Sequence, residues 1–143
     1  MKVKELMTRH PACCQPETSL TDVARLMVDN DCGSIPVVDQ NEKIIGVVTD
    51  RDIVTRAVAE GKNPAQLRAE DCMTSRVVTI SPEESIEECC QKMEEHQVRR
   101  IPVTDDAGKC CGIVSQADIA LEGDEAETAE VVKLVSQPVG SGF

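Results

Sequence analysis

An α+β fold built from two copies of a β-α-β-β-α unit is the architecture that this sequence predicts. Three observations lead to it: an internal repeat in one register, a capped helix start in each copy, and two apolar runs joined by a polar turn after each of those helices.

The internal repeat spans most of the chain. The segment Ile35–Asp39 (IPVVD) recurs as Ile101–Asp105 (IPVTD), and Gly46–Ile53 (GVVTDRDI) recurs as Gly112–Ile119 (GIVSQADI). Every matched pair is separated by the same number of residues, and no gap interrupts the register. Because chance does not hold a register over such a length, the chain is predicted to contain two copies of one unit.

Each copy carries the signals of two helices and of the strands between them. Ser19 and Ser85 each begin a capping box, and apolar residues at helical spacing follow. Two apolar runs come next, joined by polar turns at 40–42 and 106–108. A second helix is predicted to begin at Thr49 or Ser115, and in the first copy its apolar face comprises Ile53, Val54, Ala57 and Val58. A short strand is predicted before the first helix, most clearly over residues 77–80.

The repeat divides the chain into three parts. Residues 1–62 form the first unit, residues 63–122 the second, and residues 123–143 a C-terminal helix and tail. The first division falls at Gly61–Pro64, where glycine and proline end a helix. We expect the C-terminal helix to pack back on the pair, since its apolar face needs cover.

The charge and composition of the chain exclude several classes of function. Among 143 residues there are 15 Lys and Arg against 26 Asp and Glu, for a net charge of −11. This charge repels nucleic acid and anionic membrane surfaces, so neither is an expected partner. No apolar run is long enough to span a membrane and the N-terminus lacks a secretory pattern, so we expect a cytoplasmic protein. Trp and Tyr are absent, so a bound purine would lie between aliphatic side chains and backbone.

Eight cysteines invite a metal or redox interpretation, but their spacing argues against it. There is no Cys-x-x-Cys motif, and adjacent cysteine pairs do not match the spacing of zinc ligands. Seven of the eight occupy positions that the other copy fills with an apolar residue. We therefore predict that the thiols fill the core.

At the repeated motifs (GSIPVVD, GVVTDRDI and their second copies) the chain resembles the CBS domain family in its tandem arrangement. The resemblance covers about Val3 to Ser136. It implies two units packed sheet to sheet with pseudo-two-fold symmetry, and a homodimer. It also implies that the protein is a regulatory sensor that binds AMP, ADP, ATP or S-adenosylmethionine, with NAD as a further alternative. A regulated protein, which the sequence does not identify, would respond to the ligand-bound state.

The resemblance assigns the ligand site to a hydroxyl residue and an acidic residue three positions later. The matching pairs are Thr49 with Asp52, and Ser115 with Asp118. A carboxylate can accept hydrogen bonds from both ribose hydroxyls, and N–H groups at a helix start favour phosphate. The same spacing also predicts capping boxes, and the two interpretations are compatible.

Arginines make the two halves of that site unequal. Arg51 precedes Asp52, whereas Ala117 stands at the matching position of the second copy. Arg99 and Arg100 precede the second Ile-Pro pair, where similar modules often place phosphate contacts. The planar guanidinium of arginine offers several N–H donors that suit a phosphate. The alternative explanation for these arginines is ion pairing with acidic neighbours such as Glu94. The residues expected to border the purine, with strand core as their other role, are Ile35, Pro36, Ile101 and Pro102.

No catalytic motif accompanies these features. There is no Gly-x-Gly-x-x-Gly, no phosphate loop ending in Gly-Lys-Ser/Thr, and no His-Glu-x-x-His. We therefore expect no enzyme, no catalytic residue, no metal site and no cofactor apart from the regulatory nucleotide. A ligand-free dimerisation scaffold and a cysteine-based redox sensor are the alternative functions.

Overall fold

The computed structural model describes residues 1–122, and its secondary structure follows the repeat. The C-terminal helix and tail predicted over residues 123–143 lie outside the described residues. In chain order the elements are α1 (Val3–Leu6), β1 (Thr8–Arg9), α2 (Leu20–Asp29), β2 (Ser34–Val38), β3 (Ile44–Thr49), α3 (Asp50–Ile53), a π-helix (Val54–Val58), a 3-10 helix (Pro64–Gln66), α4 (Ala69–Cys72), α5 (Ile86–His96), β4 (Arg100–Thr104), β5 (Cys110–Ser115) and α6 (Gln116–Glu122).

The chain forms two compact units whose bounds differ from those of the repeat. Of the described residues, unit 1 contains Met1–His10 together with residues 78–122, and unit 2 contains Pro11–Val77. Each unit therefore combines the strands and helices of one copy with the short leading segment of the other. The division at residue 62 marks the repeat in the sequence, whereas the packed units exchange their leading segments.

The core of unit 2 lies around the antiparallel hairpin of β2 and β3, which pairs Ile35 with Val48. The segment after α4 joins this hairpin where Val47 and Thr74 exchange backbone hydrogen bonds of 3.0 and 2.9 Å. One face of α2 packs into the same core through Leu20 and Val23, both almost fully buried. Ser19 is the N-cap of this helix, and its hydroxyl accepts a hydrogen bond from the Asp22 N–H at 3.1 Å.

Unit 1 repeats this arrangement with a three-stranded sheet in the order β1-β5-β4. The leading strand β1 pairs with β5 through Thr8 and Ile113. The face of α5 that contains Ile86 and Met93 packs into the core, and the Ser85 hydroxyl caps this helix at 3.1 Å from the Glu88 N–H. The predicted α+β fold class is thus confirmed in both units.

Two local predictions were wrong. The strand predicted over residues 77–80 is reduced to one parallel bridge between Ile80 and Val103, because only this residue reaches the neighbouring strand. The predicted apolar face of the helix after β3 is only partly buried: Ala57 lies in the core, but Val54 and Val58 are each 57% exposed. The segment that contains both valines is a π-helix, whose side-chain spacing differs from the α-helical spacing used for the prediction.

The core role predicted for the cysteines is confirmed for Cys14, Cys72, Cys89 and Cys90, which are buried. It is wrong for Cys32, which is exposed, although its counterpart Val98 packs into the core of unit 1. The smaller Cys32 thiol instead contacts the Ser34 carbonyl at 3.6 Å. Burial raises the pKa of the Cys14 thiol to about 11 and that of Cys89 to about 12.

Candidate functional site

Thr49 and Asp52 form two reciprocal hydrogen bonds at the junction of β3 and α3. The Thr49 hydroxyl accepts a hydrogen bond from the Asp52 N–H, and Asp52 Oδ2 accepts one from the Thr49 N–H, both at 3.0 Å. Thr49 is 2% exposed and Asp52 9% exposed, so this capping box is shielded from water. The capping interpretation of the Thr-x-x-Asp spacing is therefore confirmed.

The second carboxylate oxygen of Asp52 faces a residue that the sequence analysis did not single out. Arg56 Nε lies 3.9 Å from Asp52 Oδ1, and Arg56 Nη1 donates hydrogen bonds to the carbonyls of Cys72 and Met73 at 3.2 and 2.9 Å. The i,i+4 spacing of an acid and a base was the available signal. Arg56 thus links the candidate ligand carboxylate to the end of α4.

Ser115 and Asp118 form the same arrangement in the second copy. Asp118 Oδ2 accepts from the Ser115 N–H at 2.9 Å, and the Ser115 hydroxyl accepts from the Asp118 N–H at 3.1 Å. Both side chains are half-buried, so this box is more open to water than that of Thr49 and Asp52. We call the two places the Thr49 half-site and the Ser115 half-site.

The N–H groups at the start of α3 do not meet the expectation that they face a phosphate. The Asp50 N–H donates to the Gly33 carbonyl at 2.9 Å and the Arg51 N–H to Asp50 Oδ1 at 2.8 Å. The Asp52 N–H donates to the Thr49 hydroxyl. Since the protein already provides acceptors for these donors, a phosphate at the Thr49 half-site would need side chains instead.

The predicted arginines lie beside these caps. Arg51 is exposed in α3, and Arg99 is exposed just before β4. Arg100 is half-buried and stands opposite Ser115 in the register of β4 and β5. Among residues 1–121, whose side chains the structure describes, no carboxylate lies within ion-pairing distance of Arg51, Arg99 or Arg100, so the alternative of ion pairing is not observed there.

The Ile-Pro pairs lie in the strands that precede these caps. Ile35 and Ile101 have no exposed surface, and Pro36 and Pro102 are also buried. Their strand-core role is therefore confirmed, whereas contact with a purine stays a prediction. In the part of the chain that the structure describes, no group of three or more His, Cys, Asp or Glu side chains could hold a metal ion.

Both half-sites thus contain the same hydroxyl–carboxylate box, carried on equivalent elements of a duplicated unit. The family model for the CBS domain matches residues 3–59 and 69–124. The chain belongs to the CBS domain family. Its two matched stretches correspond to the two copies of the repeat, so the chain is a CBS domain pair.

CBS relatives of similar length match nearly the whole chain. The protein YlbB of Bacillus subtilis is 39% identical over 129 residues, which cover 90% of this chain and 86% of YlbB. Hypoxic response protein 1 of Mycobacterium tuberculosis is 32% identical over 136 residues, 95% of this chain and 94% of that protein. The chain spans 61% of an uncharacterised Methanopyrus kandleri protein that is 33% identical.

Solved structures of CBS pairs are also similar. A crystal structure of hypoxic response protein I with two coordinated zinc ions superposes with a TM-score of 0.78 at 33% identity, covering 85% of this chain and 98% of that one. The CBS domain pair of protein MJ0100, in complex with 5′-methylthioadenosine and S-adenosyl-L-methionine, has a TM-score of 0.77 at 27% identity and covers 85% of this chain and 94% of that one. Within residues 1–122, no helix has the length and apolar character needed to cross a membrane.

Proposed function

We propose that this CBS domain pair is a regulatory module that binds an adenosyl ligand, such as AMP, ADP or ATP, at its two half-sites. One observation carries the proposal. In each capping box, Oδ2 of the acid is held by the backbone of the hydroxyl residue, while Oδ1 lies outside the box. Each half-site therefore presents one acceptor oxygen whose orientation is set by the fold before any ligand arrives.

The chemistry of that oxygen suits a ribose. A carboxylate accepts hydrogen bonds from a vicinal diol, and such charge-assisted bonds are among the stronger ones in proteins. The half-buried Asp118 is open to this contact, whereas Asp52 would also have to share Oδ1 with Arg56. The adenosyl ligands of the CBS pair of MJ0100 support the same ligand class for this chain.

A regulatory role requires that the ligand distinguish between two states of the protein. A ligand shifts an equilibrium only by its difference in affinity for the states. We propose that adenosyl binding changes the arrangement of a homodimer and that a separate regulated protein reads this change. No enzymatic role is part of the proposal, because the geometry that the two half-sites share supplies caps and acceptors and no nucleophile–base pair.

Isothermal titration calorimetry with AMP, ADP, ATP, NAD and S-adenosylmethionine tests the proposal. The variant Asp52→Asn/Asp118→Asn keeps an oxygen for each cap and removes both negative charges. We expect it to lose binding, by about 10-fold or more for each charge-assisted hydrogen bond removed.

Asp22→Asn is the matched control. Asp22 occupies the third position of α2, as Asp52 does in α3, but it is exposed and lies in neither half-site. Equal affinities in the wild type, the double variant and the control would contradict the assignment of the site. Absence of binding for every ligand would contradict the proposed function.

A ligand-free dimerisation scaffold is the second candidate, and exposed apolar side chains favour it. Val54 and Val58 share one side of the π-helix with 57% exposure each, and Val28 is 71% exposed. Analytical ultracentrifugation of Val54→Gln/Val58→Gln would show monomers if these valines form the contact. A dimer lost in this variant, together with no adenosyl binding in the wild type, would favour the scaffold.

Burial argues against the third candidate, a redox sensor. A sensor thiol needs a low pKa and access to solvent, whereas burial raises the pKa of Cys14 and Cys89 and also that of Cys72. Cys32 is the exposed cysteine of the described residues, so a redox role would fall to this thiol.

A further inference from the structure

Arg56 makes contacts at two places within unit 2. Its Nη1 donates hydrogen bonds to the carbonyls of Cys72 and Met73 at 3.2 and 2.9 Å, and its Nε lies 3.9 Å from Asp52 Oδ1. Met73 is the C-cap of α4, a helix of four residues, whose final carbonyls have no partner within the helix. The Arg56 guanidinium therefore supplies donors to the end of α4, and it also faces the carboxylate oxygen that lies outside the capping box.

The segment that Arg56 contacts is also bonded to the strand that carries the capping box. The Thr74 N–H donates to the Val47 carbonyl at 2.9 Å, and the Val47 N–H donates to the Thr74 carbonyl at 3.0 Å. Val47 belongs to β3, and this strand ends at the capping box. A few residues later the chain leaves unit 2, after Val77. Residues 72–74, which we call the exit segment, are thus joined to the Thr49 half-site through Arg56 and to β3 through the backbone.

The second copy has no residue that could make the same link from this position. The repeat aligns Arg56 with Glu122, and it aligns the two residues whose carbonyls Arg56 contacts with Leu6 and Met7. A carboxylate accepts hydrogen bonds but donates none, so an acid at this position has no donor for two carbonyls. The backbone differs as well, because Arg56 lies in the π-helix whereas residues 120–122 are α-helical. Turns of π-helix are rare and are often found at functional sites.

The two carbonyls and the Asp52 carboxylate compete for the Arg56 guanidinium. The carbonyl contacts are hydrogen bonds, whereas the 3.9 Å between Nε and Oδ1 is too long for one. A ribose whose hydroxyls donate to Oδ1 would take up part of the carboxylate charge and weaken its attraction for Arg56. The guanidinium would then stay on the carbonyls, and the exit segment would open less often.

We propose that Arg56 is a positioning residue that couples a ligand at the Thr49 half-site to the exit segment. Arg56 acts through Asp52 and the two carbonyls, and it needs no contact of its own with the ligand. This coupling rests on the proposed adenosyl-binding function, and it assigns the route by which the occupancy of one half-site reaches the chain that leaves unit 2. Because coupling between two places is reciprocal, a more stable exit segment also strengthens binding at this half-site.

Hydrogen–deuterium exchange at the Thr74 amide, followed by NMR with AMP and S-adenosylmethionine as probes, tests the coupling. In the wild type a bound probe should slow this exchange about fivefold or more, and in Arg56→Gln the slowing should be absent. Arg56→Lys should keep the slow exchange of the ligand-free protein but lose the effect of the probe, because one ammonium group cannot serve the carbonyls and the carboxylate together. Arg25→Gln removes the same charge from the exposed face of α2 and should behave as the wild type.

The outcomes separate this coupling from the function on which it rests. If Arg56→Gln speeds the exchange of Thr74 by the same factor with and without a probe, Arg56 only supports the fold and the coupling is overturned. Binding of a probe to the wild type with no change at Thr74 would overturn the coupling while leaving adenosyl binding intact. Failure of the wild type to bind either probe in calorimetry would overturn the proposed function, and the coupling with it. Far-UV circular dichroism of each variant verifies that it is folded.

Discussion

Replacement of Asp52 by alanine removes a buried capping box, and its cost can be worked out from the contacts. The substitution deletes Oδ2, which accepts the Thr49 N–H at 3.0 Å. Thr49 is 2% exposed, so water cannot easily take over that donor, and an unsatisfied buried donor costs about 1–3 kcal/mol. The pairing with Arg56 at 3.9 Å adds less, about 0–1 kcal/mol, because the Arg56 side chain is 48% exposed. We expect Asp52→Ala to lower the free energy of unfolding by about 2–3 kcal/mol.

Two further substitutions make this expectation specific to the cap. Asp52→Asn keeps an oxygen in place of Oδ2 and should cost about half as much as the alanine variant, or less. Asp22→Ala removes an exposed acid from the same position of α2, where the described residues show no side-chain bond back to Ser19, and should cost about 0.5 kcal/mol or less.

Urea unfolding followed by far-UV circular dichroism provides the measurement, because the chain has no Trp or Tyr to report by fluorescence. The reasoning is refuted if Asp52→Ala is no more destabilising than Asp22→Ala. It is also refuted if the alanine and asparagine variants at position 52 are equally destabilised, since the retained oxygen would then contribute nothing.

Four other measurements follow from the structure. Gly112→Ala should destabilise by about 1–3 kcal/mol, since its Cβ would lie 2.6 Å from Met7 Sδ; an unchanged melting temperature would contradict the close packing. Glu42→Gly should stabilise by about 0.5–1 kcal/mol, because Glu42 has a φ of 65° and the other copy has glycine there; lower stability would show that the side chain compensates. N-ethylmaleimide should label Cys32 well before Cys89, as read by peptide mass spectrometry, and equal rates would refute the difference in burial. Burial raises the pKa of Cys89 from 9.0 to about 12, so the folded state keeps this thiol protonated where the unfolded state ionises it. The contribution of Cys89 to stability is therefore complete below pH 9 and is lost as pH rises toward 12. The free energy of unfolding should fall over that range, and the fall should be smaller in Cys89→Ala.

Local sequence signals predicted much of the candidate site. The hydroxyl and acid of each capping box, the strands that precede them, and Ser34 as the uncharged residue that aligns with Arg100 could all be read from spacing and from the repeat. Arg56 was missed, because only the structure places its guanidinium on the carbonyls that end α4. The exposure of Cys32 was missed because alignment with Val98 assumes that both copies bury the same positions.

The amino-acid sequence by itself determined the elements of this CBS pair. Helix caps, apolar periodicity and turn residues depend on neighbours a few positions away, so each copy specifies its own helices and strands. Only the tertiary structure decided which sheet each leading segment joins. Met7 packs on Gly112 and Met73 on Gly46, so each leading segment lies in the unit built from the other copy. The repeat places a methionine and a glycine in both copies, and nothing local distinguishes pairing within a copy from exchange between copies. That choice depends on contacts between residues far apart in the chain.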